Sequence, residues 1–227
     1  MTLTALIDLI KNWTGPQGEA YVTDYSDVTD VVNRESKRFA AETLCLYSDN
    51  ITFALTASTS KYSLRDTAVF SKMVVQPANV WVYGNLKAKV ASVADMAGID
   101  EGYHALDDSE PTYWYTMPPN HLVLRPAPAS AYSDSRVAGW YFPDDVTFPD
   151  EGDTDPTIEF PDDVVDALAV HIAIALLAPR ATGDLLERVN YLRQLNQADK
   201  ARIKAQADRL LVPAPIRRAT RNIYSLG

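Results

Sequence analysis

The sequence predicts an α+β fold: a helical bundle of an N-terminal helix pair and two C-terminal helices, with a small antiparallel β-domain inserted between them and an extended C-terminal tail. Three observations predict it. Apolar residues recur at three- and four-residue spacing before residue 49 and after residue 161. Between roughly 50 and 143 the pattern changes to short runs of β-branched and aromatic residues bounded by Pro, Gly, Asn or Ser. Beyond residue 212, prolines at 213 and 215 prevent a continuous helix. The expected divisions are 1–49 for the first helices, 50–143 for the β-domain, 144–160 for an acidic Pro-rich loop, 161–211 for the last helices and 212–227 for the tail.

The first helix places Leu3, Leu6, Ile7, Ile10 and Trp13 on one face, with Thr2 as N-cap and Gly15-Pro16 as the stop. A second helix is expected from about Ser26 to Tyr47, with Val28, Val31, Val32, Phe39 and Leu46 near one face. The two are read as an antiparallel hairpin. Strands are expected at Ile51–Leu55, Tyr62–Leu64, Phe70–Val75, Val80–Tyr83, Leu86–Val90, Thr112–Thr116, His121–Leu124 and Val137–Phe142. Ala57–Ser60 supplies one turn, Gly84-Asn85 a hairpin turn, and Ser92–Ala97 a single helical turn.

Phe160-Pro161-Asp162-Asp163 reads as a helix start, with proline in the first turn and carboxylates near the positive end of the helix dipole. Val164, Val165, Leu168, Ala169, Ile172, Ile174, Leu176 and Leu177 cover nearly the whole circumference, so this helix is expected to be buried. The last helix opens at Gly183-Asp184 and runs to about Leu211. Its apolar positions are dense up to Leu195 and thin out after Asn196, so its second half is expected to leave the domain.

The 227 residues carry a formal charge of −9, which disfavours sequence-independent binding of nucleic acid. The charge is unevenly spread. Asp134 to Asp166 holds eleven acidic residues against Arg136 alone, whereas Lys200 to Gly227 holds seven basic residues against Asp208. Such a subunit is steered into one orientation against a charged partner. No apolar run reaches the roughly 20 residues that span a bilayer. The lone Cys45, flanked by Leu44 and Leu46, reads as a small core residue.

Candidates for chemistry are few. His104, His121 and His171 have no nucleophile elbow beside them; His171 reads as a core histidine, His121 as a surface residue and His104 as a loop residue. No phosphate-binding glycine loop is present, and one cysteine with scattered histidines does not make a zinc site. Asp150, Glu151, Asp153 and Asp155 form an oxygen-rich loop without EF-hand spacing, read as solvated. The adjacent carboxylates Asp107-Asp108, Asp144-Asp145 and Asp162-Asp163 point apart and do not make an acid–base pair. Tyr113-Trp114-Tyr115 is weighed as a stacking platform for a carbohydrate or base, but alternation along a strand favours packing. No cofactor, metal or catalytic residue is expected.

The order of features carries a resemblance. An N-terminal helix pair leads into Asn50-Ile51-Thr52-Phe53-Ala54-Leu55, then a turn and Lys61-Tyr62-Ser63-Leu64. His121-Leu122-Val123-Leu124-Arg125-Pro126-Ala127-Pro128 follows, and later Phe160-Pro161-Asp162-Asp163-Val164-Val165-Asp166-Ala167-Leu168. This layout resembles the head–tail connector or adaptor proteins of tailed bacteriophages. The long 143–161 loop and the Pro-interrupted basic tail depart from the usual pattern.

The resemblance implies a structural virion protein at the neck, assembled in the host cytoplasm. It implies a ring, commonly of twelve copies, between the portal protein and a downstream tail or nozzle protein, with DNA passing through unbound and no membrane contact. The tail would dock on the portal through Pro213, Pro215, Ile216, Arg217, Arg218, Arg221, Ile223, Tyr224 and Leu226. A tail-completion or tail-tube protein is the alternative within the same biology. A carbohydrate-binding β-domain is the alternative outside it.

Overall fold

A computed structural model describes residues 1–16, 25–83, 86–90, 111–150 and 152–211. The elements are α1 (Leu3–Thr14), α2 (Tyr25–Thr43), β1 (Tyr47–Leu55), β2 (Lys61–Ser63), β3 (Val74–Val82), β4 (Leu86–Val90), β5 (Tyr113–Met117), β6 (His121–Arg125), β7 (Tyr132–Tyr141), α3 (Asp162–Leu177) and α4 (Asp184–Leu211). The fold is α+β, as the sequence predicts. Gly84-Asn85, Ser92–Ala97, His104 and Asp107-Asp108 lie outside the described residues.

The helices share one core. α3 is its centre, burying Val165, Leu168, Ala169, Ile172 and Ala173 on several faces. α1, α2 and α4 all pack against α3, so the expected α1–α2 hairpin gives way to two helices that each find their main partner in α3. The reason is composition: α3 is apolar nearly all round and offers every neighbour a surface. α1 starts and ends where its sequence says. Thr2 Oγ1 accepts from the Ala5 amide at 3.4 Å, and Gly15 takes a positive φ of 68° as its N–H returns to Lys11 O. Arg188 of α4 then donates twice to the Trp13 carbonyl, at 3.1 and 2.8 Å, satisfying an acceptor that the helix end leaves open.

α2 ends at Thr43, four residues before the expected Tyr47. Leu44 adopts a left-handed φ of 54°, a conformation ordinarily given to glycine, so no sequence signal announces the stop. Tyr47 therefore begins β1.

The β-domain comprises seven strands in the order β1-β7-β3-β4-β5-β6-β2. Every pairing is antiparallel except β4 with β5, which joins two smaller antiparallel sheets. The sheet curls, because Ile51, Tyr62, Val80, Ala88, Trp114, Leu122 and Val137, one from each strand, meet in a single core. The segment between β2 and β3 covers an edge: Ser71 N–H donates to Thr52 O, and Ala54 N–H to Val69 O. Phe53 stacks on Phe70 at 5.0 Å between centroids. Tyr62 holds the 56–59 turn, its hydroxyl donating to Thr59 O and accepting from Thr56 N–H. The expected strands at 70–75 and 80–83 give way to one strand, β3, which starts only at Val74 and leaves residues 70–73 outside it, with Pro77 accommodated at a register shift opposite Gly139. Tyr141 touches both the helical and the β cores.

Residues 142–161 are a strap tied to the bundle. Leu3 N–H donates to Pro156 O, Ile158 N–H to Met1 O, and Thr2 bridges Thr157. Asn33 and Val146 exchange two hydrogen bonds at 2.8 and 2.9 Å. Both carboxylate oxygens of Asp155 lie 3.3 Å from the Thr4 amide at the start of α1. Partial burial works to raise the Asp155 carboxyl, and hydrogen bonds from Thr2, Thr4 and Leu3 together hold it below the usual range. Asp155→Ala is expected to cost about 1 kcal/mol, the ordinary value of a lost helix N-cap acceptor, read as a shift in urea midpoint. No shift would mean that Thr2 alone caps α1.

Candidate interaction surfaces and a buried polar network

The nine tail residues named above, Pro213 to Leu226, lie outside the described residues, as does Glu151. The helix that leads to the tail is described. α4 has 28 residues, about 42 Å at 1.5 Å per residue. Its second half does not leave the domain up to Ala207, contrary to the sequence expectation. Leu185, Val189, Leu192, Asn196, Ile203 and Ala207 are all buried. With Lys200 they step by four, three, four, four, three and four residues, the spacing of a continuous seam. Two seam positions carry polar residues, which is why the seam looks broken in sequence. Lys200 holds its ammonium over the Phe39 ring, 5.7 Å from centroid to Nζ, and pairs it with Glu42. Outside the seam α4 is mostly polar but leaves Leu186 and Tyr191 exposed, 44% and 58% accessible.

Asn196, the other polar seam residue, belongs to a buried network. Its amide lies 3.3 Å from His171 Nδ1 on α3, and His171 Nε2 lies 3.3 Å from Glu35 Oε2 on α2. With the amide donating to Nδ1, the ring proton sits on Nε2, facing the carboxylate. Arg34 Nε donates to Glu35 Oε1 at 3.0 Å, and Arg38 lies 3.9 Å from Oε2. The Phe39 ring covers the imidazole at 5.5 Å between centroids. Burial pushes His171 down to about 4; Lys200 and Arg38 act in the same direction, while Glu35 and Glu42 oppose them. The three side chains tie α2, α3 and α4 together. No serine or cysteine nucleophile hydrogen-bonds to this pair among the described residues, so it lacks the arrangement of a hydrolytic site.

The strap carries the acidic residues, and several are occupied. Lys72 contacts both Asp144 and Glu159, and Lys37 Nζ lies 2.7 Å from Asp145 Oδ2. Lysines of α2 and the β-domain thus partly neutralise Asp144, Asp145 and Glu159, while of the loop expected to be solvated Asp150 and Asp153 are exposed and Asp155 instead caps α1. Among the described residues, no three His, Cys, Asp or Glu side chains gather as a metal site.

Between α2 and the strap lies a cleft of about 240 Å³, walled by Val32, Val146, Ile158 and Phe160 and rimmed by Asp144, Asp145 and Glu159. Ser36 lines it, 5% accessible, and its Oγ has no hydrogen-bond partner.

The remaining candidates resolve simply. Trp114 and Tyr115 are buried, 5% and 6% accessible, so neither offers a face for stacking a sugar or base. His121 opens β6 as expected, but is half-buried, with Nδ1 enclosed and unpartnered. Cys45 packs against the helical core, and burial pushes its thiol up to about 11. No helix among the described residues is long and apolar enough to cross a membrane.

Sequence reasoning missed the Glu35–His171–Asn196 network. Its one signal was a histidine inside an apolar helix; the partners, 136 residues upstream and 25 downstream, carry none.

Compared with known proteins, the chain matches the family model described as SU10 adaptor protein over residues 1–219. No curated protein matches it. That match takes in the bundle, the inserted β-domain, the strap and all of α4: the chain belongs to the SU10 adaptor protein family, bacteriophage structural proteins that interact with other proteins of the virion.

Proposed function

We propose that the chain is a head-to-tail adaptor without catalytic activity, forming a ring between portal and tail through which DNA passes. The family match over residues 1–219 carries this reading. Within it, five divisions are proposed: 1–49, apart from the start of β1 at Tyr47, and 161–211 as the bundle, 50–143 as the inserted β-domain, 144–160 as the acidic strap and 212–227 as the docking tail.

Two physical features support the arrangement. α4 exposes Leu186 and Tyr191 outside its seam, apolar side chains suited to the head-to-tail contacts that close a ring. The segment following α4 combines Arg217, Arg218 and Arg221 with Ile216, Ile223, Tyr224 and Leu226, a composition suited to an acidic, partly apolar groove on a portal. Twelve copies, a downstream tail or nozzle partner and a position in the virion neck complete the proposal.

Deleting residues 213–227 is expected to weaken binding to purified portal rings at least about tenfold, equivalent to about 1.4 kcal/mol. Cosedimentation or electron microscopy of the mixture reads this directly. Unchanged portal binding by the shortened chain would remove the tail from the interface. Binding to tail components but not to portal would instead favour a tail-completion role.

A further inference from the structure

The cleft between α2 and the strap is left open by everything described so far. Its walls are apolar, its rim carries three carboxylates, and among the described residues two lysines, Lys37 and Lys72, answer them. Asp150 and Asp153, both exposed, extend the negative charge along the same strap. A helical serine that is buried ordinarily turns its hydroxyl back to the carbonyl one turn earlier. Ser36 does not, and its Oγ has no partner at all. An apolar shaft with a carboxylate rim and a free hydroxyl suits an amphipathic cation: an arginine, with its stem along Val32 and Ile158 and its guanidinium among the oxygens.

The chain carries such residues within reach. Gln206 and Ala207 near the end of α4 lie beside Pro161, Asp163 and Val164, and Phe160, immediately before Pro161, forms part of the cleft wall. From Leu211 to Arg217 is six residues, about 20 Å when extended. Over these six residues there is no acidic side chain to oppose the approach.

We infer that in the unassembled subunit the arginines at 217 and 218 fold back into the cleft walled by α2 and the strap, so that the docking segment is held by its own chain until a portal groove displaces it. This rests on reading residues 213–227 as the docking segment. A held tail keeps free subunits from engaging one another through the same cations, and its release on the portal makes assembly conditional on that surface.

The test uses the full chain with Arg217→Lys and Arg218→Lys, treated with a water-soluble carbodiimide that couples amines to neighbouring carboxylates. Mass spectrometry of the monomer band is expected to find residues 217 and 218 joined to Asp144, Asp145 or Glu159. These links are expected to fall several-fold when Ser36→Met fills the cleft from below or Thr157→Tyr fills it from the exposed side, with melting temperature as a check on folding. Links spread evenly over Glu187, Asp199 and Asp208, links found only in coupled dimers, or links indifferent to both filling substitutions would each overturn the inference. Portal binding, measured separately on uncoupled protein, keeps the two proposals apart. A tail deletion that loses portal binding in a chain without cleft links leaves the docking role standing and removes the self-contact. Cleft links in a chain whose portal binding survives the deletion do the reverse.

Discussion

Gly139→Ala is expected to destabilise the protein by about 3 kcal/mol, lowering its melting temperature by roughly 6–12 °C for a chain of this size. Gly139 sits in β7, between β1 and β3, opposite Ser48 on one side and Pro77 on the other. A Cβ built there would meet the Gln76 carbonyl oxygen at 2.4 Å and Pro77 Cα at 2.9 Å, both backbone atoms. Neither can rotate away as a side chain would, so β3 must shift bodily and loosen its register shift at Gln76–Asn79. The glycine is required here for close approach. Ala138→Gly, one residue earlier, removes only a methyl and is expected to cost far less. A Gly139→Ala melting curve superimposed on the wild type would refute this account of how β3 meets β7.

His171→Ala should have a comparable effect, about 2–4 kcal/mol at neutral pH, because it opens a cavity and strands Glu35 and Asn196. Its more telling consequence is in the pH dependence. The folded imidazole is held at about 4, below the 6.5 of an exposed histidine, so the unfolded chain binds the extra proton first. The neutral ring's contribution is therefore fully present above pH 6.5 and is lost as the pH falls from 6.5 through 4. Screening of the imidazole by nearby charges and solvent discounts this linked contribution to about 1–2 kcal/mol. Urea titrations at pH 7.5, 5.5 and 4.5 are expected to show the wild type losing ground to the variant as the solution is acidified. Parallel curves would mean that the imidazole titrates alike in the folded and the unfolded chain, with no downward shift from burial.

Much of the architecture is visible in the residues themselves. Thr2 and Gly15 bracket α1 because caps are local chemistry, and α3 declares its burial by having no polar face. The failures have equally local causes. Pro77 reads as a break between two strands, yet a bulge lets one strand carry it. Leu44 ends α2 in a conformation that its side chain does not advertise. Asn196 and Lys200 interrupt the apolar seam of α4 on paper, while in space each fills its place by a different device: an amide bonded to His171, and an ammonium set over the Phe39 ring. Asp155 looks like a solvated acid and turns out to cap a helix 151 positions away. Long-range pairs of this kind have no periodicity to betray them. The residues proposed for docking, in contrast, are legible only through composition and family layout, since chemistry of that sort awaits a partner.

The strap also sets an order of events during synthesis. α1 emerges from the ribosome first, but its amides wait for Asp155 and Pro156, and its apolar face waits for α3. At about 5–20 residues per second, some 150 residues of further translation take roughly 8–30 s. The β-domain meanwhile has every strand of its own core by Tyr141. The β-domain can therefore fold while the first two helices remain unpaired, and the bundle forms last, when α3 and α4 arrive. A truncated product that stops before α3 thus leaves both N-terminal helices exposed and recognisable to quality control, so only a chain translated nearly to its end offers a finished bundle to an assembling particle.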